Sequence, residues 1–223
     1  MKHCWLIALF CIVLAHWASG QQALMTSAGA VVGTKLMVST KAPYCVIFPD
    51  ETVSTSELVA LGRKINNLGA NVLIVPTENL YTRVDVSADE MVSDIGWRVS
   101  ELRKTTDSPI FLLAQKKVSA ACLIAATKYF TIKGVIVAST GEYFVGKGYV
   151  EQSLTALRVP VLSLCTDDEL TVIKGVFSKV PRKFVIFSTD LQSSGYADLL
   201  KNTKQSGKIW LAVSVFYHEH FDN

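Results

Sequence analysis

Few residues of this chain have the types and spacing that catalysis or metal binding requires. The chain has four histidines, and His3 and His16 lie in an apolar N-terminal segment. The other two belong to the run His218-Glu219-His220. Histidines two residues apart on a helix point to different sides, and no further ligand types accompany them, so we predict no metal site. Between residues 17 and 217 the sequence offers no imidazole base, unless the C-terminal end folds back.

Two lysines and a cysteine are the remaining candidates for nucleophilic chemistry. Lys116 and Lys117 are adjacent, and a neighbouring cation lowers the pKa of a lysine, as a Schiff-base nucleophile requires. The more ordinary interpretation is that one lysine points to solvent while the other pairs with a nearby acidic residue. A sharper hypothesis is that Lys116 pairs with Asp168 or Asp50. A catalytic thiolate at Cys165 needs a nearby base or cation, whereas a packed thiol needs neither. We favour the ordinary interpretation for the lysines and for the cysteine.

The first 20 residues have the pattern of an export signal. Lys2 provides a positive start, residues 5–15 are apolar, and Ala18-Ser19-Gly20 supplies small residues before a cleavage position at Gln21. His16 ends the apolar run before it reaches the roughly 20 residues that a spanning helix needs. We therefore predict residues 1–20 as a signal peptide, a periplasmic or secreted protein, and no stable membrane span after cleavage. An uncleaved anchor is the alternative.

The remaining chain has the composition of a folded domain. Half of the 223 residues are hydrophobic and 18% are charged, which excludes a disordered protein. The formal net charge of +3 gives no argument for nucleic-acid binding. Cys45, Cys122 and Cys165 are too few and scattered for a disulfide framework, and we predict buried free thiols. Glycine-rich phosphate motifs are absent from the sequence, and we expect no cofactor.

Apolar runs typical of buried strands alternate with helical patterns. The predicted strands cover residues 44–48, 71–75, 110–114, 134–138, 159–164 and 183–187, and the predicted helices cover 56–68, 88–103, 119–130, 168–180, 196–200 and 207–217. This alternation predicts an α/β fold, a three-layer α/β/α sandwich with a mostly parallel central sheet. We predict one domain over residues 35–223 and a flexible start over residues 21–34, with a leading strand at 35–39 as an ambiguous element.

The order of these segments resembles the α/β-hydrolase family, in a small form without a cap domain. The resemblance extends from about Lys35 to the C-terminus. It depends on segments such as CVIFPDETVSTSELVALGRKINNLGANVLIVP, SPIFLLAQKKVSAACLIAAT and LRVPVLSLCTDDEL. It implies a serine hydrolase that acts on esters or acyl groups, with a Ser-His-acid triad and an oxyanion hole.

The segment that matches the family's nucleophile elbow, Gly-x-Ser-x-Gly, lacks the nucleophile. Lys116 stands at the serine position, and Ala114 and Val118 replace the two glycines. Because a β-branched side chain restricts the backbone and crowds a tight turn, we expect Val118 to distort the elbow.

The other parts of the family's machinery match unevenly. The oxyanion-hole position reads Pro49-Asp50, where proline lacks an N–H donor and a carboxylate repels a developing oxyanion. The histidine position reads Ser194-Gly195. Asp168 matches the acid, with Asp167 as the less favoured register. An acid without an imidazole to orient has no role in acyl transfer, so the resemblance implies a catalytically degenerate relative, or pseudo-hydrolase.

We therefore expect an exported, non-catalytic protein that binds an unidentified protein or small molecule. The candidate binding residues are Pro49, Asp50, Gln115, Lys116 and Cys165. Two alternatives stand beside this one: an enzyme that uses Lys116, Cys165, Asp168 or the terminal histidines, and a structural component of an envelope or secreted complex. A binder should have an apolar pocket near Pro49, Gln115 and Ser194, whereas an assembly component should have a filled cleft and an exposed apolar patch elsewhere. In the loop 141–149 we favour a packed connection over a binding lip.

Overall fold

An eight-stranded, mostly parallel sheet organises the chain. The computed structural model describes residues 21–77, 80–83, 85–146, 148–180, 184–189, 195–201 and 203–221. The predicted signal peptide, residues 1–20, and the predicted histidine position, Ser194, lie outside the described residues. The strands are β1 (Gln21–Met25), β2 (Val31–Leu36), β3 (Tyr44–Ile47), β4 (Asn71–Ile74), β5 (Ile110–Gln115), β6 (Ile132–Ala138), β7 (Val161–Thr166) and β8 (Val185–Thr189).

The strand order in the sheet is β1-β2-β4-β3-β5-β6-β7-β8. β1 pairs with β2, and β2 with β4, in antiparallel fashion, while every other neighbouring pair is parallel. β3, β4, β5 and β7 are buried along their whole length. Continuous apolar strands are what a parallel sheet covered on both faces requires, so the predicted α/β fold is confirmed.

Seven helices cover the two faces of the sheet within the described ranges. They are α1 (Thr55–Asn66), α2 (Ala88–Arg103), α3 (Lys116–Lys128), α4 (Tyr149–Ser153), α5 (Leu170–Val176), α6 (Tyr196–Leu200) and α7 (Lys204–His220). α2, α3, α4 and α5 pack into one apolar core on the first face. α1, α6 and α7 pack into a second core on the opposite face. The result is the predicted three-layer sandwich.

The longer helices begin where the sequence supplies caps. Ser54 accepts a hydrogen bond from the backbone N–H of Glu57, whose carboxylate accepts in return from the Ser54 N–H. Ser87 and Glu90 form the same capping box at the start of α2. α3 differs, because it follows β5 directly and no side chain caps it. Its first turn is therefore defined by the junction with the strand.

The first two strands correct the prediction of a flexible start over residues 21–34. β1 and β2 form a hairpin, and Gly29, with a φ of +83°, permits the turn between them. The Thr26 N–H donates to the Ala30 carbonyl at 2.9 Å. Val32 is buried and joins the first core, which holds the hairpin to the rest of the sheet. β2 also replaces the ambiguous strand at 35–39, since it begins earlier, at Val31, and ends at Leu36.

Several boundaries differ from the predicted ones for local reasons. α5 begins at Leu170 rather than at residue 168, because Thr166 and Glu169 exchange side-chain to backbone hydrogen bonds and hold residues 167–169 in a turn. α7 begins at Lys204 rather than at residue 207, because Thr203 and Ser206 form a capping box. The predicted strand 183–187 lies at Val185–Thr189, two residues later.

The three described cysteines are free and buried, as predicted. Burial raises the pKa of Cys45 and of Cys122 well above the usual value for a thiol. Among the residues that the structure describes, no helix combines the length and the hydrophobicity that crossing a membrane demands.

Candidate functional site

The junction between β5 and α3 has the backbone geometry of a nucleophile elbow. β5 ends at Gln115, and Lys116, the first residue of α3, has a φ of +51°. In the described part of the chain, Lys116 and Ser139 are the two non-glycine residues with a positive φ. A left-handed residue costs roughly 1–2 kcal/mol, so the surrounding structure must enforce it.

The expectation that Val118 would distort this turn is wrong. The Val118 side chain is buried in the core of the first face and therefore does not compete for space with the turn. Ala114, at the other glycine position, is also fully buried. The direct passage from a buried strand into a buried helix sets the elbow geometry, and the motif's glycines are not required for it here.

Lys116 forms the ion pair with Asp50 that was one of the two expected pairings. Its Nζ lies 3.5 Å from Oδ2 of Asp50 and donates to Oγ1 of Thr52 at 3.3 Å. The Lys116 side chain is 40% exposed, and that of Asp50 is 5% exposed. Asp168 is exposed in the turn after β7, and no Lys116–Asp168 ion pair occurs within the described residues. The lysine at the nucleophile position thus points toward the predicted oxyanion-hole position.

The Asp50 carboxylate is hydrogen-bonded on both oxygens. Oδ1 accepts from the backbone N–H and from the hydroxyl of Thr52, at 2.8 and 2.7 Å. Oδ2 accepts from Nε2 of Gln115 at 2.6 Å. A carboxylate that is almost removed from water needs such partners, because an unpaired buried charge is strongly destabilising. Asp50 is therefore an integral, hydrogen-bonded part of the fold just beyond the carboxyl end of β3.

Gln115 connects this carboxylate to the start of α6. Its Oε1 accepts from the backbone N–H of Tyr196 at 2.6 Å, so the orientation of the amide is determined. A Cβ atom on Gly195 would lie 2.8 Å from the same Oε1, so glycine is the residue that leaves room for this contact. The Tyr196 hydroxyl is fully buried and faces the carbonyl oxygens of Phe48 and Leu113, at 3.0 and 2.9 Å.

Sequence reasoning missed Thr52 and Tyr196 as members of this group. Thr52 had a local signal, because a threonine two residues after an aspartate commonly forms a hydrogen-bonded turn with it. Tyr196 had none, since 81 residues separate it from Gln115. Burial raises the pKa of Tyr196 well above its ordinary value, and the nearby Cys122, Cys45 and Asp50 add to that increase. Its phenol therefore stays protonated and donates a hydrogen bond.

Most of the predicted binding residues lie below the surface. Pro49, Asp50, Gln115 and Cys165 are buried, and only Lys116 among them presents substantial side-chain surface. Burial, followed by the charges of Glu169 and Asp167, raises the pKa of the Cys165 thiol to about 11. A neutral thiol at physiological pH is a poor nucleophile, so the structure gives Cys165 the properties of a packed residue.

The terminal histidines lie near the amino ends of the parallel strands, whereas Lys116 lies at the carboxyl end of β5. The ring of Phe221 stacks on Phe111, near the amino end of β5, with centroids 4.6 Å apart. The carboxyl end of the same strand, Gln115, lies about 13 Å from Phe111 at roughly 3.3 Å per residue, and Lys116 follows it. His220 packs against Phe216, with ring centroids 4.8 Å apart. The C-terminal segment therefore brings no imidazole to the elbow in this structure.

A cavity of about 420 Å³ lies beside the elbow, between the start of α2 and the loop 141–149. Apolar and aromatic side chains and charged ones both line it: Val86, Tyr143, Phe144, Val145 and Tyr149, together with Lys117, Asp85 and Asp89. Lys117 Nζ donates to the Val86 carbonyl at 2.8 Å and lies 5.5 Å from the centre of the Phe144 ring. The Tyr143 hydroxyl donates to the Ser139 carbonyl at 2.6 Å. The loop is thus packed against the domain and also forms one wall of an open cavity.

Metal-dependent chemistry has no evident ligand set in the described ranges, where no group of three histidine, cysteine or acidic residues comes together. At the elbow, the titratable groups brought into contact are Lys116 and Asp50. This pair can hold the turn and present one positive charge to solvent.

No protein-family model and no curated protein matches this chain. Solved structures with the same fold are numerous. A dienelactone hydrolase from Anabaena variabilis is 12% identical, with a TM-score of 0.68 over 90% of this chain and 98% of that one. Est1E from Butyrivibrio proteoclasticus is 17% identical, with a TM-score of 0.65 over 92% of this chain and 100% of that one.

An esterase domain of a Rhodothermus marinus protein is also similar, at 12% identity and a TM-score of 0.62, over 90% of this chain and 98% of that domain. Identities this low relate the proteins by fold, and function does not follow from fold. The sheet order, the elbow after β5 and these similarities agree: the chain has the α/β-hydrolase fold.

Proposed function

We propose that this protein binds a small, largely apolar ligand in the cavity beside the elbow and does not hydrolyse esters. The observation that carries the proposal is the Lys116–Asp50–Gln115 contact. By the resemblance to the hydrolases, Lys116 occupies the nucleophile position and Asp50 the oxyanion-hole position, and their contact supports the proposal that neither serves acyl transfer. In that arrangement the tetrahedral intermediate of acyl transfer gains no stabilisation from Asp50, because like charges repel.

The lysine itself supports the same conclusion. A lysine attacks a carbonyl carbon only as the neutral amine, so a base must first take the proton of the ammonium group. Asp50 is 3.5 Å away, whereas the described residues bring no imidazole to the elbow that could take a proton. The described part of the chain therefore offers no group that would activate either Lys116 or a water molecule there.

The cavity has the size and lining of a ligand site. Its volume of about 420 Å³ lies within the roughly 300–1,000 Å³ of small-molecule sites. Phe144 and Tyr149 pack edge to face, with centroids 6.2 Å apart, and supply aromatic surface. Lys117 supplies the one cationic group among its lining residues, and the lining carboxylates Asp85 and Asp89 form ion pairs with Arg83 and Lys128. We infer a ligand with an apolar or aromatic body. Export of the protein is also part of this proposal, because residues 1–20 have the pattern of a signal peptide.

The test combines an activity assay with a binding assay on the purified protein. With p-nitrophenyl acetate and butyrate, we expect hydrolysis no faster than in buffer. If the protein hydrolyses these esters faster than buffer does, and if Lys116→Ala or Asp168→Asn lowers that rate, the non-catalytic proposal is contradicted. Such a result favours an enzyme with unconventional groups.

Binding is measured with the apolar fluorescent anion 8-anilinonaphthalene-1-sulfonate. We expect Phe144→Ala to raise its Kd about tenfold, the equivalent of about 1.4 kcal/mol. Phe130→Ala is the matched control, because Phe130 is exposed and lies outside the cavity. Equal Kd values for the two variants contradict the cavity as the site. Leu211→Ala, on a separate apolar surface, reports probe bound elsewhere.

A second candidate function, a component of an assembly, is favoured by that separate surface. Leu211 and Val215 are 65% and 56% exposed, and both lie on α7 beside the sheet edge. Exposed apolar patches of this kind commonly mark protein contacts.

A further inference from the structure

The outer side of α7 and the edge strand β8 form an apolar groove of about 390 Å³, which we call the α7–β8 face. The residues of this face used below are Val185, Lys208, Leu211, Ala212, Val215 and Glu219. Val185, Leu211 and Val215 are all more than half exposed. Removing such side chains from water is favourable, so a surface that leaves them exposed gains by association.

We propose that the α7–β8 face binds a second copy of this chain, with the two α7 helices antiparallel about a twofold axis. The positions 208, 211, 212, 215 and 219 share one side of α7, since their spacings of three, one, three and four residues follow the helical repeat. Apolar residues occupy the middle of this side. Lys208 lies near its beginning and Glu219 near its end, and both are exposed.

The charges at the two ends select the orientation. Lys208 and Glu219 are about 16 Å apart along the helix, at 1.5 Å per residue. In an antiparallel pair whose axis passes between positions 213 and 214, Lys208 of one copy meets Glu219 of the other, and this happens twice. Ala212 then faces Val215 of the other copy. A parallel pair places like charges together, which is unfavourable. A twofold interface needs this kind of self-complementary pattern.

The sheet edge supports the same arrangement. β8 is the last strand in the sheet order and, within the described ranges, pairs with β7 alone. Val185 lies on this strand and is exposed. Proteins commonly cover or charge such edges, because an exposed apolar edge strand promotes association. A second copy seated on α7 covers the neighbouring edge as well.

The experiment measures molar mass by sedimentation velocity from about 1 to 100 μM, in the full purified protein. We expect twice the mass of one chain at the upper concentrations. Leu211→Asp should give a monomer, because it introduces a charge at the centre of the apolar strip. The matched control is Val172→Asp, an exposed valine on α5 at the other face of the sheet, which should leave the dimer intact.

Charge exchange tests the antiparallel orientation. Lys208→Glu and Glu219→Lys alone each place like charges together twice, and each should raise the dimer dissociation constant at least tenfold. The double variant restores opposite charges and should return the constant to within about threefold of the original. A monomer at 100 μM, a dimer that survives Leu211→Asp, or a double variant weaker than both single ones overturns the proposal. Circular dichroism confirms that each variant is folded.

Discussion

Exchange of one hydrogen-bonding group tests the structure of the elbow directly. In Asp50→Asn, the side-chain oxygen can still accept from Thr52, but the new amide nitrogen faces Nε2 of Gln115, which lies 2.6 Å from the present Oδ2. Both groups are donors. Gln115 cannot relieve the conflict by turning its amide, because its Oε1 already accepts from the Tyr196 N–H.

The expected cost follows from the groups affected. One hydrogen bond to a charged group is lost, worth about 1.5–3 kcal/mol, and a buried donor is left unpaired at about 1–3 kcal/mol. Since the losses overlap, we expect the free energy of unfolding to fall by about 2–4 kcal/mol. With a urea m-value near 3 kcal/mol/M, the midpoint of denaturation moves down by about 1 M.

A second substitution should restore part of that loss. In the double variant Asp50→Asn with Gln115→Glu, the new carboxylate can accept from the asparagine amide and from the Tyr196 N–H, so donors and acceptors match again. We expect the double variant to recover at least about 1 kcal/mol relative to the single one, measured as a coupling energy in a double-mutant cycle.

Asp168→Asn is the matched control, because Asp168 is exposed, and its stability should stay within about 0.5 kcal/mol of the original. The reasoning fails if Asp50→Asn denatures at the same urea concentration as the unmodified protein. It fails equally if the two substitutions at positions 50 and 115 prove simply additive.

Two further predictions concern stability. Gly33→Ala should lower the free energy of unfolding by about 1–3 kcal/mol, because its Cβ would lie 2.6 Å from the Ile74 carbonyl oxygen. Gly175→Ala is the control, because its Cβ would meet nothing within 4 Å, and it should raise the free energy of unfolding by about 0.4–1 kcal/mol. Thermal denaturation of both variants measures the difference, and equal melting temperatures refute the contact at Gly33. Stability should also fall as the pH rises from about 9 through 11, since Cys165 keeps its proton when folded and loses it when unfolded. Urea midpoints measured across this range should decline less steeply for Cys165→Ala, and an unchanged slope contradicts the raised pKa.

The sequence predicted the alternating strands and helices of the α/β fold because its central elements carry strong patterns. The strand at residues 110–115 is wholly apolar up to Gln115, and α1 repeats Leu58, Leu61 and Ile65 at helical spacing. The hairpin of β1 and β2 was missed because it lies at the sheet margin, where polar and small residues interrupt the alternation. Its pairing with β4 depends on contacts distant in sequence.

At the candidate site, the sequence offered Asp50 and Asp168 as partners of Lys116, because both could be aligned to positions of the hydrolase machinery, and the structure shows the pair with Asp50. The elbow geometry was predicted wrongly, because local crowding by Val118 does not occur when the core of the first face receives its side chain. The contact between Gln115 and Tyr196 had no sequence signal. Its partners meet only when β5 and α6 have taken their places in the sandwich.

The left-handed backbone at Lys116 has a practical consequence for enzyme design. Since the turn exists without its glycines and without a serine, a hydroxyl side chain introduced at this position would inherit a raised, outward orientation from the surrounding scaffold. Re-engineering acyl-transfer activity on this chain would then be a matter of supplying a proton acceptor and replacing the acidic neighbour, rather than of reshaping the main chain.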